Sequence, residues 1–259
     1  MKGAIGLAEM GSANSRMLWG SIAAFGSIVF FTLVVKGSTG LQWIVSGLVV
    51  GSIYSLIAMG FSVIYSGTRV INFAQGEFSM LGGMLMFSLA GRAHLPAWLS
   101  FIMAVLLVML IGAGFERAAI HQLKKSPVIT VIIVTIGFSI FLRAVAKWIW
   151  GTDPVKVAPF SGENPVKVLR AAVVPQSFWV LGFTAVLVVA LFVFFSRTVI
   201  GKGMRAAAAN PDAASLMGVS TSMTSLLAWI ISAGLGAAAG IVIAPINYPS
   251  FNSGIMLGL

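Results

Sequence analysis

The sequence predicts an all-α fold: a polytopic transmembrane helical bundle of about 7–8 spans with one short helix on the cytoplasmic side. Three observations carry this prediction. The chain has 259 residues, 59% hydrophobic and only 8% charged, with a mean hydropathy of +1.03, whereas a soluble domain carries about a quarter charged residues. Uncharged intervals of membrane-spanning length recur along it. Sixteen Lys and Arg against six Asp and Glu give a net charge of +10, and on so apolar a chain that excess belongs in loops beside lipid headgroups rather than on a nucleic-acid-binding face. Nucleic acid is excluded as a partner, and membrane lipid is the expected surroundings. The absence of cysteine removes disulfides, thiol nucleophiles and thiolate metal sites, and two histidines do not make a metal cage.

The uncharged intervals are 19 residues from Arg16 to Lys36, 32 to Arg69, 23 from Arg92 to Glu116, 17 from Lys125 to Arg143, 26 from Arg170 to Arg197, and 47 after Asp212. A spanning helix needs about 20 apolar residues. The expected spans are 18–35, 41–65, 71–90, 97–115, 128–148, 178–195 and 223–244, with an incomplete segment after Pro249. The third is accepted only because the 14 residues between Glu77 and Arg92 are too few to cross, so its helix must start near Val70 and carry Glu77 at membrane depth. The first span exceeds a signal-peptide core and ends in Val34, Val35 and Lys36 without a small-x-small cleavage site, so it is read as retained.

An N-terminus inside puts Lys2, Arg16, Arg69, Arg117, Lys124, Lys125, Arg197, Lys202 and Arg205 in the cytoplasm. Outside lie Lys36, Arg92, Arg143, Lys147, Lys156, Lys167 and Arg170, three of them in the long segment 151–175, which counts little. The weighted comparison of nine against four sets the orientation. Trp148, Trp150 and Trp179 bracket the outer segment, as residues of an interfacial aromatic belt do, and Pro154, Pro159, Pro165 and Pro175 make that segment loop-rich.

Among the six acids, Glu77 alone is expected inside the membrane, which leaves no carboxylate pair for acid–base chemistry. No phosphate-binding P-loop motif occurs, Gly201-Lys202-Gly203 being a basic turn. Gly47 and Gly51, Gly82 and Gly83, and Gly234, Gly236 and Gly240 are read as sites of close helix approach, and His94 and His121 as loop residues. In the polar stretch 67–77, two readings compete. Asn72 can cap a helix with Gln75 reaching back to it and Glu77 at the positive helix end, or Asn72, Gln75 and Glu77 can form a polar joint on a translocation path. In 200–219, Asn210 is an N-cap, Pro211 suits the first helical position, Asp212 favours the positive end and Gly218 can close the helix. The resulting two-turn helix puts Ala213, Leu216 and Met217 on one face, offered either to a partner or to the membrane surface.

From Gly47-Leu48 through Gly51, Tyr54, Leu56, Ala58, Gly60 and Tyr65 to Arg69-Val70-Ile71-Asn72-Phe73-Ala74-Gln75-Gly76-Glu77 and Met80-Leu81-Gly82, the chain closely resembles integral-membrane permeases of branched-chain amino acid ATP-binding cassette transporters. Arg205, Ala206, Asn210, Ala213, Ala214, Leu216, Met217 and Gly218 match that family's ATPase-coupling loop in the same order. Ala209 stands where the family usually has Glu or Gln, and Ser55 where it has Ala; the family usually continues past Leu259 through a further inner segment and a last helix, so the chain reads as short of that pattern. The resemblance implies a permease domain over 41–259, preceded in 1–40 by an additional transmembrane helix.

It also implies an importer in which Arg205, Asn210, Pro211, Asp212, Ala213, Ala214, Leu216, Met217 and Gly218 form the coupling segment. The implied partners are a homologous second permease subunit, two cytoplasmic ATPase subunits that hold ATP and Mg, and an extracytoplasmic substrate-binding protein. No cofactor is expected on this chain, and a bacterial-type inner membrane is the expected location. The substrate class is branched-chain amino acids, with urea, short amides or small carboxylates as the alternative. A self-contained channel or carrier, which would call for more buried ionisable groups than Glu77, and a membrane scaffold are the readings from other classes.

Overall fold

The computed structural model describes residues 26–27, 40–123, 126–162, 164–168 and 171–258. The first expected span, 18–35, lies outside the described residues except for Gly26 and Ser27, which are helical. Lys2, Arg16, Lys36, Lys124, Lys125 and Arg170 of the charge comparison lie outside them too. The chain divides into two compact units, one of residues 1–48 with 165–174 and one of 49–164 with 175–259. In the first, β1 (Val166–Val168) and β2 (Ala171–Val173) form an antiparallel hairpin in which Val166 pairs with Val173. This hairpin is the departure from an all-helical chain among the described residues.

Among the described residues, five helices are long and apolar enough to cross a membrane: α1 (Gly40–Thr68), α3 (Ala97–Ala118, continued by a 3-10 turn to Leu123), α4 (Val128–Trp150), α5 (Pro175–Arg197) and α8 (Thr221–Asn247). They match the expected spans to within a few residues. Between α1 and α3 lies α2 (Gln75–Met86), extended by a π-helical turn Phe87–Arg92. Between α5 and α8 lie two short helices, α6 (Val199–Ala209) and α7 (Pro211–Leu216), and the described chain ends in α9 (Ser253–Gly258). The chain is a multi-pass membrane protein.

In the second unit α8 is the central helix, buried along most of its length, while α5 buries only Gln176, Val180 and Thr184. The core sits where α2, α3, α4 and α8 meet: Phe115 stacks on Phe138 at 3.7 Å between centroids, and Phe78 and Trp229 close the cluster edge-on. Lipid offers no hydrophobic drive between helices, so close backbone packing must hold α2 on α8. A side chain at Gly240 would stand 1.8 Å from the Ser79 carbonyl oxygen, and one at Gly82 would stand 2.4 Å from that of Ala237. Gly47 and Gly51, grouped with these by spacing, face open space. Of the three tryptophans expected in a belt, Trp148 and Trp179 are exposed, but Trp150 turns into the bundle and donates to Ser88 Oγ at 2.6 Å.

The third expected span begins later than its charge spacing implies. Ile71 is outside the helix and exposed, and α2 starts at Gln75. Gln75 lies level with Gly60 and Ser232. Gly60 is eight residues before the end of α1 and Ser232 eleven after the start of α8, so α2 begins some 12–16 Å inside the bundle at 1.5 Å per residue.

The α2–α8 contact makes a direct prediction. Gly240→Ala should lower the thermal midpoint of the purified protein by overpacking worth roughly 1–3 kcal/mol. Gly137→Ala, where nothing lies within 4 Å, should leave it unchanged or raise it slightly.

Candidate coupling surface and buried polar joint

The segment that joins α5 to α8 is built from local signals. Thr198 caps α6 by accepting from the Gly201 N–H at 3.0 Å. Asn210 caps α7, its Oδ1 accepting from the N–H groups of Asp212 and Ala213 at 3.1 and 3.0 Å, with Pro211 at the first helical position and Asp212 in the first turn. The last helical residue is Leu216, Met217 is the C-cap, and Gly218 closes the helix with φ 84°, as its place in the sequence implied. The Gly218 N–H donates to Ser215 O and that of Val219 to Ala214 O, both at 3.0 Å, the paired closure that a left-handed residue permits. Ala214 faces inward and is buried; Ala213, Leu216 and Met217 share the exposed face, Leu216 88% and Met217 84% exposed. Arg205 is on α6, exposed, at the rim of a groove lined by Met59, Phe192 and Phe195, and is not part of the α7 face.

The joint between α1 and α2 is built from distant parts of the chain. Asn72 is fully buried, but it does not cap α2 in the expected way: its Oδ1 accepts from the Ala74 N–H at 2.9 Å, and the helix N-cap is Ala74 with no side-chain bond. Gln75 does not reach back to complete a capping box. Its Nε2 donates to the Ser232 carbonyl at 3.2 Å, and the single Ser232 Oγ–H is shared between Gln75 Oε1 and the Gly60 carbonyl. Phe73 N–H donates to Thr135 Oγ1 at 3.4 Å. Thus α4 and α8 each satisfy a polar group at or just before the start of α2, and α1 accepts from the Ser232 hydroxyl that serves it, as backbone and side-chain groups buried in an apolar bundle require.

Glu77, 2% exposed, accepts from Ser139 Oγ at 2.9 Å and lies 3.3 Å from Arg143 Nε. Its Oε2 has no hydrogen-bond partner among the described residues and stands against Gly254, where a side chain would meet it at 2.1 Å. Arg143, counted with the outer charges although it falls within the expected span 128–148, is in α4 with its side chain 25% exposed. The signal lay in the sequence: Ser139 and Arg143 are four apart, on one helical face.

A second buried acid also overturns the expectation that Glu77 stands alone. Glu116, on the last turn of α3, is fully buried, accepts from Ser225 Oγ at 2.9 Å, and lies 3.9 Å from His121 Nδ1 and 4.0 Å from Arg117 Nε. Each carboxylate has its own partners. In the sequence Glu116 only bounds an uncharged interval beside Arg117, and an acid in that place is ordinarily solvated. Among the described residues no group of three or more potential metal-ligating side chains converges.

The sequence model of the family described as "Branched-chain amino acid transport system / permease component" matches residues 43–259. The chain belongs to this family. It is 29% identical over 222 residues to the high-affinity branched-chain amino acid transport system permease protein LivH of Salmonella typhimurium strain LT2, covering 78% of this chain and 70% of the relative. LivH of Escherichia coli K12 is 30% identical over 217 residues with the same coverage, and BraD of Pseudomonas aeruginosa 28% over 230 residues, covering 83% and 74%. No solved structure matches. The permease is therefore a membrane-embedded transport component that works within a larger system.

The buried pair in the permease makes a second prediction. Arg143→Met strips Glu77 of its cation and should destabilise the fold by about 3 kcal/mol, the low end for breaking a buried pair because Arg143 is partly exposed. Adding Glu77→Gln should recover most of that loss in denaturation of the double variant, because no uncompensated charge remains. Additive losses would mean that the two side chains do not interact.

Proposed function

We propose that this chain is the permease subunit of an ATP-binding cassette importer that moves branched-chain amino acids across a bacterial-type inner membrane by alternating access. Hydrolysis of ATP, with Mg, would occur on two cytoplasmic ATPase subunits. A second, homologous permease subunit would complete the pathway and an extracytoplasmic binding protein would deliver the substrate. The substrate class is taken from the relatives, whose names specify branched-chain amino acids.

The observation that carries the reading is α7. A helix of six residues capped at both ends is rigid for its size, and its two largest apolar side chains, Leu216 and Met217, point away from the chain. Such a knob suits a groove on a soluble partner. The polar joint of Asn72, Gln75 and Glu77 is the candidate on the translocation path. Discontinuous helices that begin at membrane depth place polar groups and a helix N-terminus where a zwitterionic solute passes.

Two measurements test this reading. If Leu216 and Met217 are buried on docking, each is worth roughly 1.5–3 kcal/mol, and a carboxylate in that place would lack a partner. Met217→Glu should therefore abolish ATP-driven uptake or release the ATPase while leaving membrane insertion intact. Stimulated hydrolysis and uptake near wild type would instead identify α7 as a membrane-surface helix. Orientation can be read with single cysteines, since the chain has none of its own. Cysteine in place of the exposed Ser161 should react with an impermeant thiol reagent from outside, and in place of Ser215 only after the inner face is opened. The reverse pattern would detach α7 from any cytoplasmic ATPase.

A further inference from the structure

We propose that Arg69 is a positioning residue that transmits movement of the α6–α7 segment to the start of α2, as the hydrogen-bonded link between them beside the apolar packing of Met204 on Val63, Ala228 and Leu235. The inference rests on the reading of α7 as the ATPase contact. Helix α6 ends at Ala209, and the Asn210 N–H takes the Ala206 carbonyl, which leaves the carbonyls that follow without an amide inside the helix. Arg69 supplies the missing donors. Its Nε donates to Ala208 O at 2.8 Å, and its Nη2 donates to Ala208 O and, at 3.1 Å, to Ala209 O. The guanidinium thus sits at the negative end of α6, one residue before the Asn210 cap of α7.

On its other side Arg69 opens the joint. Its N–H still donates to Tyr65 O at 2.9 Å as the last bond of α1, but its φ of 58° is left-handed, a conformation that disfavours a residue with a side chain. The five residues 70–74 then lead to Gln75, the first of α2. A cavity of about 330 Å³ separates Gly67, Thr68 and Val70 from Pro211, Asp212 and Ser215, so packing does not fill the space between the joint and α7. Among the described residues no hydrogen bond other than those of Arg69 joins 66–75 to 198–219. A planar fork on two successive carbonyls fixes direction as well as distance, which a lysine ammonium does not.

The test uses the complete transporter, reconstituted in vesicles with its ATPase subunits and binding protein, and measures leucine uptake and ATP hydrolysis together. Arg69→Met should leave hydrolysis near wild type and lower uptake per ATP about fivefold or more, the span of ordinary allosteric couplings. Arg69→Lys, which keeps the charge but not the fork, should recover only part of that ratio. If Arg69→Met folds poorly, the lysine variant alone carries the test, with its thermal midpoint measured alongside. An unchanged uptake-to-hydrolysis ratio in the folded variants overturns the proposal, as does an equal fall in both activities, which marks a merely structural contact. The Met217→Glu variant separates the two readings: if it uncouples hydrolysis while Arg69 variants keep their ratio, the relay fails and the α7 assignment stands. If Met217→Glu changes nothing, the α7 assignment itself is lost.

Discussion

The backbone contact between α2 and α8 is the constraint on which the remainder of the structure depends. Helices in lipid gain nothing by merely hiding apolar side chains from one another, so they must approach closely enough for dispersion to hold them. Gly82, Gly236 and Gly240 allow that approach, against the backbone of Ala237, the side chain of Phe78 and the carbonyl of Ser79. Once α2 is pressed onto α8 in this register, its first turn lies within the bundle rather than at its edge. The polar groups of that turn and of the residues leading into it then need partners inside the protein, and they find them on two other helices: Thr135, Ser139 and Arg143 of α4, and Ser232 of α8, whose hydroxyl also reaches Gly60 of α1.

Two polar elements result, and they are held in different ways. The caps of α6 and α7 are made by residues within five positions of one another, and α7 turns Leu216 and Met217 outward. The joint at α2 is held by partners 62 to 157 residues away. A locally built element can shift as a body without losing its own hydrogen bonds, whereas the joint cannot move without exchanging partners between helices. Asn72 Nδ2 and Glu77 Oε2 are left without partners among the described residues, so the joint has hydrogen-bonding capacity in reserve. That combination suits a transport component whose driving force is applied at one element and used at another.

The buried ionisable groups sharpen the distinction from a self-contained channel or carrier. The sequence reading asked such a protein for more than Glu77, and Arg143 and Glu116 are there. Yet Glu77 is engaged by Arg143 and Ser139 in the bundle, while Glu116 is engaged by Ser225 at the end of α3. They do not form a chain of titratable groups. Membership of a transport-system permease family decides between the classes where charge alone does not.

The sequence by itself determined five of the seven expected spans and α7. Chain length, the spacing of charges and hydropathy are one-dimensional properties, and a membrane reads them directly, so 41–65, 97–115, 128–148, 178–195 and 223–244 all fall on long helices. The caps of α7 were legible for a related reason: Asn210, Pro211, Asp212 and Gly218 act on backbone groups a few residues away, so their effect is written in their spacing. Tertiary structure alone decided where α2 begins, that Gln75 turns to Ser232 instead of to its own helix, that Arg143 pairs with Glu77 and that Glu116 is buried. It also decided which glycines touch a neighbour, since Gly47 and Gly240 look alike in sequence. The physical reason is the same in each case: a buried polar group must be satisfied, but which distant group satisfies it depends on the register in which helices pack, and small-residue packing sets that register only after the helices have met.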